Sequence, residues 1–467
     1  MSGMIPATAV TAPAPATLRE EMRALVWLAG PLVGANLLQM TVSAVDVIFV
    51  ARLGTVELAA ATLGVFLFNL SMFALIGLTS AAAPIIAAEL GRRAHSVREV
   101  RRSFRMAMWV GAAGSVPVIL ILAHGETLLL LAGQDPVVAA RAGTFLDIIL
   151  FAIVPGVAAG IMRTTAAALD RAFWAFVVTA LALGVAILTN WLFIFGHGGF
   201  PAMGLEGSAL ASVVTMIAMM LAYALILLTD RKLRRFHLFG RWWRTEWARF
   251  REIVRIGTPI MFTWFFEGAL FGGAALLMGL IGVAEVAAHA VALNIAAVTF
   301  QIPFGIAQAA TIRVGMGYGA RDHVWIAHAG TAAILFGIGA MAITASMIWM
   351  MPRLLISAYI DVDAAANARV VALATQYLTL AAIFQLVDGA QAVGAGVLRG
   401  LQDTRVPMIV AGLGYWVAGF GTAVILGFGL GWEGVGIWTG LAVGLLVVSI
   451  LLLWRWHIRA RIGLLPA

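Results

Sequence analysis

Three carboxylates stand where this chain has almost no other charge: Asp46, Glu267 and Asp388. Glu267 is the sharpest case. It lies inside "TPIMFTWFFEGALFGGAALLM", residues 258–278, a run long enough to cross a bilayer. The nearest cation on its own strand of sequence is Arg255, about 18 Å away along a helix. Asp46 sits six residues before Arg52, and Asp388 sits eleven before Arg399 in "IFQLVDGAQAVGAGVLRG". An ionised carboxylate at bilayer depth costs several kcal/mol, so such residues face a bundle interior or a wet cavity and mark ion pathways. Arg163 and Arg399 fall at helix ends and are not expected to be partners. The interior therefore reads as acidic without internal neutralisation, and it calls for protons, metal cations or organic cations. A fourth acid, Asp147, is assigned to the outer interface.

Polar side chains accompany these acids. Gln39 precedes Asp46 by seven residues, two helical turns on the same face. Gln385 and Gln391 each lie three residues from Asp388. Asn190 ends one apolar run, and Asn294, Gln301 and Gln308 share another. Taken singly, each is the kind of residue that hydrogen-bonds helix to helix in a membrane. His289 reads as structural.

The elements that must position these residues are membrane helices. The chain has 467 residues, of which 62% are hydrophobic and 11% charged. Soluble domains run about 45–50% apolar and about 25% charged. Twelve apolar spans are expected, at 25–50, 58–88, 106–123, 144–162, 172–195, 207–228, 256–282, 287–312, 328–350, 372–397, 406–430 and 433–454. With both termini inside, 26 of the 30 Lys and Arg residues fall in inner segments, and only Arg52, Arg141, Arg353 and Arg369 fall outside. The net charge of +8 thus reports topology, and nucleic-acid binding is not expected. There is no cysteine, which excludes disulfides and thiolate metal sites.

The chain also repeats itself. An ungapped offset of 228 residues pairs Pro31 with Pro259, Gly54 with Gly282, Glu57 with Glu285, Gly91 with Gly319 and Arg93 with Arg321. Each half holds six spans, an even number, so both insert the same way and are expected to relate by a pseudo-twofold along the membrane normal. The expected organisation is a disordered cytoplasmic tail at 1–20, an N-lobe at 21–228, a basic amphipathic linker at 229–255, a C-lobe at 256–456 and a cytoplasmic tail at 457–467. The linker mixes nine cations with Trp242, Trp243 and Trp247, a composition suited to the headgroup level.

These features together resemble the multidrug and toxic compound extrusion (MATE) transporters, especially the NorM-type branch. The residues that carry the resemblance are "VDVIFVARLG", "PIMFTWFFEGALF", "ALNIAAVTFQIPFGIAQAATIRVG" and, most specifically, "QLVDGAQAVGAGVLRGLQDTRVPM". It covers nearly all of the chain from residue 20 to 456. It implies an all-α integral membrane protein of the MATE fold, a two-lobed antiporter that expels cationic or amphiphilic small molecules using a sodium or proton gradient. It implies no enzyme activity, no cofactor beyond Na+ or H+ as coupling ion, membrane lipids as surroundings, and a monomer in the bacterial inner membrane with both termini cytoplasmic. By matching, Glu267 and Asp388 take the cation-coupling positions, which would hold Na+ if sodium couples, and Asp46 takes the acid of the first half. Asn190 falls where other branches carry Asp, and Phe384 stands where the NorM-type often carries Tyr. Substrate contacts are expected from Asp46, Gln39, Asn190, Asn294, Gln301, Phe384 and Gln385. The alternative within the superfamily is a flippase for lipid-linked precursors, which would want cavity arginines.

Overall fold

The computed structural model describes residues 17–92, 96–240 and 242–466. Among these, twelve helices are long and apolar enough to cross a membrane. They are α1 Leu18–Ala51, α2 Thr55–Arg92, α3 Ser96–Leu122, α4 Pro136–Ala168, α5 Phe173–Phe195, α6 Gly204–Thr229, α7 Trp247–Ile281, α8 Val283–Ala320, α9 His323–Met350, α10 Ala365–Gly400, α11 Arg405–Gly429 and α12 Glu433–His457. The chain is a multi-pass membrane protein.

Local sequence explains several helix ends. Asp135 precedes Pro136 and accepts from the amides of Val137 and Val138, and Asp322 does the same for Val324 and Trp325. Gly54 separates α1 from α2 with φ of 129°, a conformation that disfavours any side chain.

The duplication is visible in the helices themselves. Taken in order, the six of the first half are 34, 38, 27, 33, 23 and 26 residues long, and those of the second are 35, 38, 28, 36, 25 and 25. The proline of each half lies inside its first helix, Pro31 in α1 and Pro259 in α7.

Several boundaries differ from the sequence reading. Of the expected N-terminal tail, residues 1–16 lie outside the described part, and α1 already starts at Leu18. Trp247 begins α7, so the helix takes in the end of the stretch read as linker. Helix α4 starts at Pro136, eleven residues before Asp147, and so runs on ahead of the expected start of the span at 144. Helix α11 is not regular: Gly414–Phe420 and Ile425–Gly429 are π-helical. No hydrophobic pattern announces this; along the stretch Gly419 packs closely against Gly440 and Gly444 of α12.

The contacts divide the chain into two compact units. One holds residues 34–89 and 94–261, the other 262–467 together with 1–33 and 90–93. The division cuts α1 after Val33 and α7 after Met261, two positions separated by the repeat offset. Each unit therefore contains the opening part of the other half's first helix. In the second unit, Glu21 of α1 meets Arg313 of α8 through two contacts of 2.7 and 2.5 Å, and Arg313 also lies 5.3 Å over the Trp325 ring. In the first unit, Arg249 of α7 meets Glu89 of α2 at 3.0 Å, with Glu99 and Glu252 beside it. Positions 21 and 249 are repeat equivalents, and each anchors its helix start through an ion pair of opposite polarity, with partners that stand one helical turn apart under the offset.

Candidate functional site

In the first unit, α1 presents Asn36, Gln39 and Asp46 along one face, at spacings of three and seven residues. Asn190, buried near the end of α5, donates its amide to Asp46 Oδ1 at 2.6 Å and to the Ala186 carbonyl at 2.8 Å. Ser212 of α6 also hydrogen-bonds Asp46. Sequence reading missed Ser212, one of several hydroxyls in an apolar helix and not marked out from the others. Gln39 is half-buried two turns before Asp46. Deeper toward the start of α1, Arg163 of α4 donates to Asn36 Oδ1 at 2.5 Å.

In the second unit, Glu267 of α7 and Asp388 of α10 act on each other electrostatically. No hydrogen bond reaches either one among the described residues, and the buried Asp388 Oδ1 has no partner. Asp388, Gln391 and Arg399 recur along one face of α10 at intervals of three and eight. Gln391 donates to the Tyr415 hydroxyl of α11 at 2.6 Å, and its own Oε1 is left buried without a partner. Tyr415 feels both acids and lies in the π-helical stretch. Irregular turns of this kind occur frequently at functional sites. Tyr415 also escaped the sequence reading, although it is one of only five tyrosines in the chain.

Arg399 overturns the expectation of an interior without internal cations. It is the cation that acts on Glu267, and its guanidinium lies 5.7 Å over the ring of Trp264, one turn before Glu267 on the same face of α7. Arg163 likewise has a partner, Asn36. The sequence placed both arginines at helix ends correctly but could not see that long side chains reach back along the bundle.

The remaining expected residues fall in different settings. Phe384 is 1% exposed, edge-on to Phe271 and Trp438. Gln385 donates to Thr299 Oγ1 at 2.6 Å and to the Ala296 carbonyl at 3.2 Å, tying α10 to α8. Gln301 and the exposed Asn294 each bond a carbonyl one turn earlier in α8. His289 is buried edge-on to Trp438. Among the described residues no group of three or more acidic or histidine side chains is gathered for a metal ion. A sodium ion at Glu267 and Asp388 would thus draw further oxygens from neutral groups, and the unpartnered Gln391 Oε1 and the Tyr415 hydroxyl are the ones at hand.

Comparison with known proteins gives one consistent pattern. The family model described as MatE matches residues 31–192 and 259–425, two stretches that begin at the two repeat prolines. A probable multidrug resistance protein NorM of Mesorhizobium japonicum is 45% identical over 445 residues, covering 95% of each chain. One of the same name from Brucella suis is 43% identical, covering 94% of this chain and 93% of its own. Among solved structures, a mutant of the Vibrio cholerae MATE transporter VcmN superposes with a TM-score of 0.85 at 16% identity, covering 95% of this chain and 98% of that one. The eukaryotic MATE transporter AtDTX14 gives 0.83 at 20% identity, covering 94% and 96%.

Proposed function

This chain belongs to the MATE family, a family of membrane transporters and not of enzymes, and from that premise we propose that it is a multidrug antiporter that exports organic cations and amphiphiles in exchange for Na+ or H+. The observation that carries the reading is the pair Glu267 and Asp388. Two carboxylates share one electrostatic neighbourhood inside membrane helices, and neither has a hydrogen bond to spend its charge on. Such a pair is stable in low dielectric only when a cation accompanies it.

Coupling follows from that requirement. The gradient does work only if the coupling ion and the substrate are favoured by different states of the protein. Glu267 and Asp388 take the ion, while Asp46, held by Asn190 and Ser212, supplies an anionic site for a cationic substrate in the other half of the chain. Gln39 lines the same face of α1, and Asn294, Gln301, Phe384 and Gln385 lie on the helices that carry or flank the coupling acids. Of the two ions, sodium has the better support. The free oxygens of Asp388 and Gln391 are hard donors of the type sodium takes, and Tyr415 adds a hydroxyl in the second half where Phe384 has none. Two arginines against three acids leave the interior net acidic, which favours cationic cargo over the pyrophosphates of a lipid-linked precursor flippase. The protein acts as a monomer in the bacterial inner membrane, with both termini and the 229–255 segment cytoplasmic, as the placing of its cations implies.

The test is transport in proteoliposomes with imposed sodium or proton gradients. Glu267→Gln and Asp388→Asn are each expected to abolish gradient-driven efflux while a cationic dye still binds at equilibrium. Either variant transporting at the wild-type rate removes that residue from coupling. Efflux undiminished without sodium, yet collapsed by a protonophore, decides for protons.

A further inference from the structure

Both halves of the chain direct an arginine from their fourth helix at the same place on their first. Arg163 of α4 meets Asn36, and Arg399 of α10 meets Trp264. Asn36 and Trp264 are equivalent under the repeat offset, as are Gln39 and Glu267 one turn further on. The two arginines are not themselves repeat equivalents, since the offset pairs Arg163 with Gln391 and Arg399 with Arg171, but they reach equivalent points of the first helices, where the residues differ at two positions. In the first half the arginine is fixed by a charge-assisted hydrogen bond of 2.5 Å to an amide oxygen, and the neighbouring position is a neutral glutamine. In the second half the arginine rests on an aromatic face with no carboxylate within ion-pairing distance among the described residues, and the neighbouring position is a coupling acid.

We propose that Arg399 is a positioning residue for the coupling site, a tethered counter-cation that leaves the Trp264 ring for the Glu267 carboxylate when the coupling cation departs. The inference rests on the reading of Glu267 as a coupling acid. The physical argument is one of relative strength. A guanidinium on an aromatic face is held more weakly than one hydrogen-bonded to a carboxylate. While a cation or proton neutralises Glu267, the ring holds Arg399. Once Glu267 is bare, the carboxylate is the better partner, and the side chain need advance only about one helical turn, roughly 5 Å. Arg399 thereby competes with the coupling cation and hastens its release. The other groups facing Glu267 cannot do this. Asp388 on α10 repels it, and Tyr415 on α11 is neutral. With both acids ionised and Arg399 counted, the set carries a single net negative charge, which one monovalent cation neutralises.

The experiment titrates transport with sodium chloride at fixed pH and, separately, with pH in sodium-free buffer, and reads the half-activating cation concentration. Arg399→Gln is expected to lower it about tenfold in whichever titration activates the wild type, and to slow turnover, because the competitor is gone. Arg399→Lys keeps the charge and should stay within about threefold of wild type. Trp264→Leu removes the resting place and should shift the midpoint the opposite way, toward higher cation, which keeps the idea testable if Arg399→Gln does not fold. Arg163→Gln, which removes the arginine that the first half directs at Asn36, should leave the midpoint alone. A purely structural arginine would reduce rate or yield without moving any midpoint. Glu267→Gln separates the two layers of argument. If it titrates like wild type, Glu267 is not a coupling acid and the reading beneath fails. If it abolishes cation dependence while neither Arg399→Gln nor Trp264→Leu moves the midpoint by more than twofold, the coupling site stands and the role of Arg399 is overturned.

Discussion

The contact between Glu21 and Arg313 allows a prediction whose size follows from its geometry. Glu21 is 0% exposed and Arg313 is 7% exposed, and two oxygens meet two nitrogens at 2.7 and 2.5 Å. The guanidinium is sandwiched further by the Trp325 ring at 5.3 Å. Removing one partner of such a pair strands the other charge without water, at a cost of about 3–5 kcal/mol. An exposed pair would cost about 1 kcal/mol or less. Glu21→Gln and Arg313→Gln are therefore each expected to destabilise the protein by about 4 kcal/mol, close to a thousandfold in the folded fraction. The double change Glu21→Leu with Arg313→Met removes both charges and should cost far less than either single one, within about 2 kcal/mol of wild type. The assay is equilibrium unfolding in mild detergent, run as a double-mutant cycle in which Glu21→Leu and Arg313→Met are also measured singly. Single variants that lose less than about 1 kcal/mol, or a double variant whose loss equals the sum of the singles, would refute the reasoning and reduce the contact to a surface-like pair.

Three further outcomes follow from other parts of the molecule. Asp46→Asn should lower efflux of cationic dyes at least tenfold while leaving unfolding within about 1 kcal/mol, since Asn190 and Ser212 can still bond an amide; unchanged efflux at normal expression would return Asp46 to a purely structural role. A methyl group on Gly257 would lie 1.9 Å from the Leu78 carbonyl, whereas one on Gly30 meets nothing within 4 Å, so Gly257→Ala should unfold at markedly lower denaturant than wild type and Gly30→Ala should not. Asp230, just past α6, is pulled upward by burial, but bonds from Trp174 and from the Lys232 and Leu233 amides, with Arg171 alongside, outweigh this and hold its carboxyl below the ordinary 3.8. A depressed carboxylate stabilises fully above its unfolded value and loses that contribution as pH falls through its folded one. Hydrogen exchange at residues 232–236 should therefore accelerate as pH drops below about 4, after correction for intrinsic rates, and Asp230→Asn should abolish the dependence.

Much of the fold could be read from residue types alone. Apolar length gave the twelve helices, and five punctuating residues at one offset gave the duplication that the paired helix lengths display. What escaped has identifiable causes. Hydrophobic length does not report where polar ends run on past a span, so α2, α4 and α10 extend beyond their apolar stretches. Helix α11 carries π-helical turns where it packs closely on α12, an irregularity with no periodicity of its own in the sequence. Among the candidate residues, acids are conspicuous because charge is rare in an apolar span, and Glu267, Asp388 and Asp46 stand out on that ground. Ser212 and Tyr415 are ordinary in such helices and show themselves only through the acids they face. Arg399 was placed by its backbone at a helix end, while its chemistry lies a side chain's length away at Trp264.

The two halves began with the same helices and now carry different charges, and the differences are informative because the scaffold is shared. At the helix starts, Glu21 has become the counterpart of Arg249 and each has found a partner of opposite sign. An acidic start suits only the helix that offers Arg313, and a basic start suits only the one that offers Glu89. An exchange of the two starts would bring like charges together, so the reversed polarity selects the correct pairing among two nearly identical alternatives. Deeper in, the pairing of Gln39 with Glu267 and of Asn36 with Trp264 works in the other direction. There one half keeps its arginine bound to an amide and its adjacent position neutral, while the other releases the arginine to a ring and places a carboxylate within its reach. The first-helix positions that the offset makes equivalent thus carry an amide and a neutral glutamine in one half and an indole and a carboxylate in the other, so at these positions only the second half sets a negative charge near its arginine.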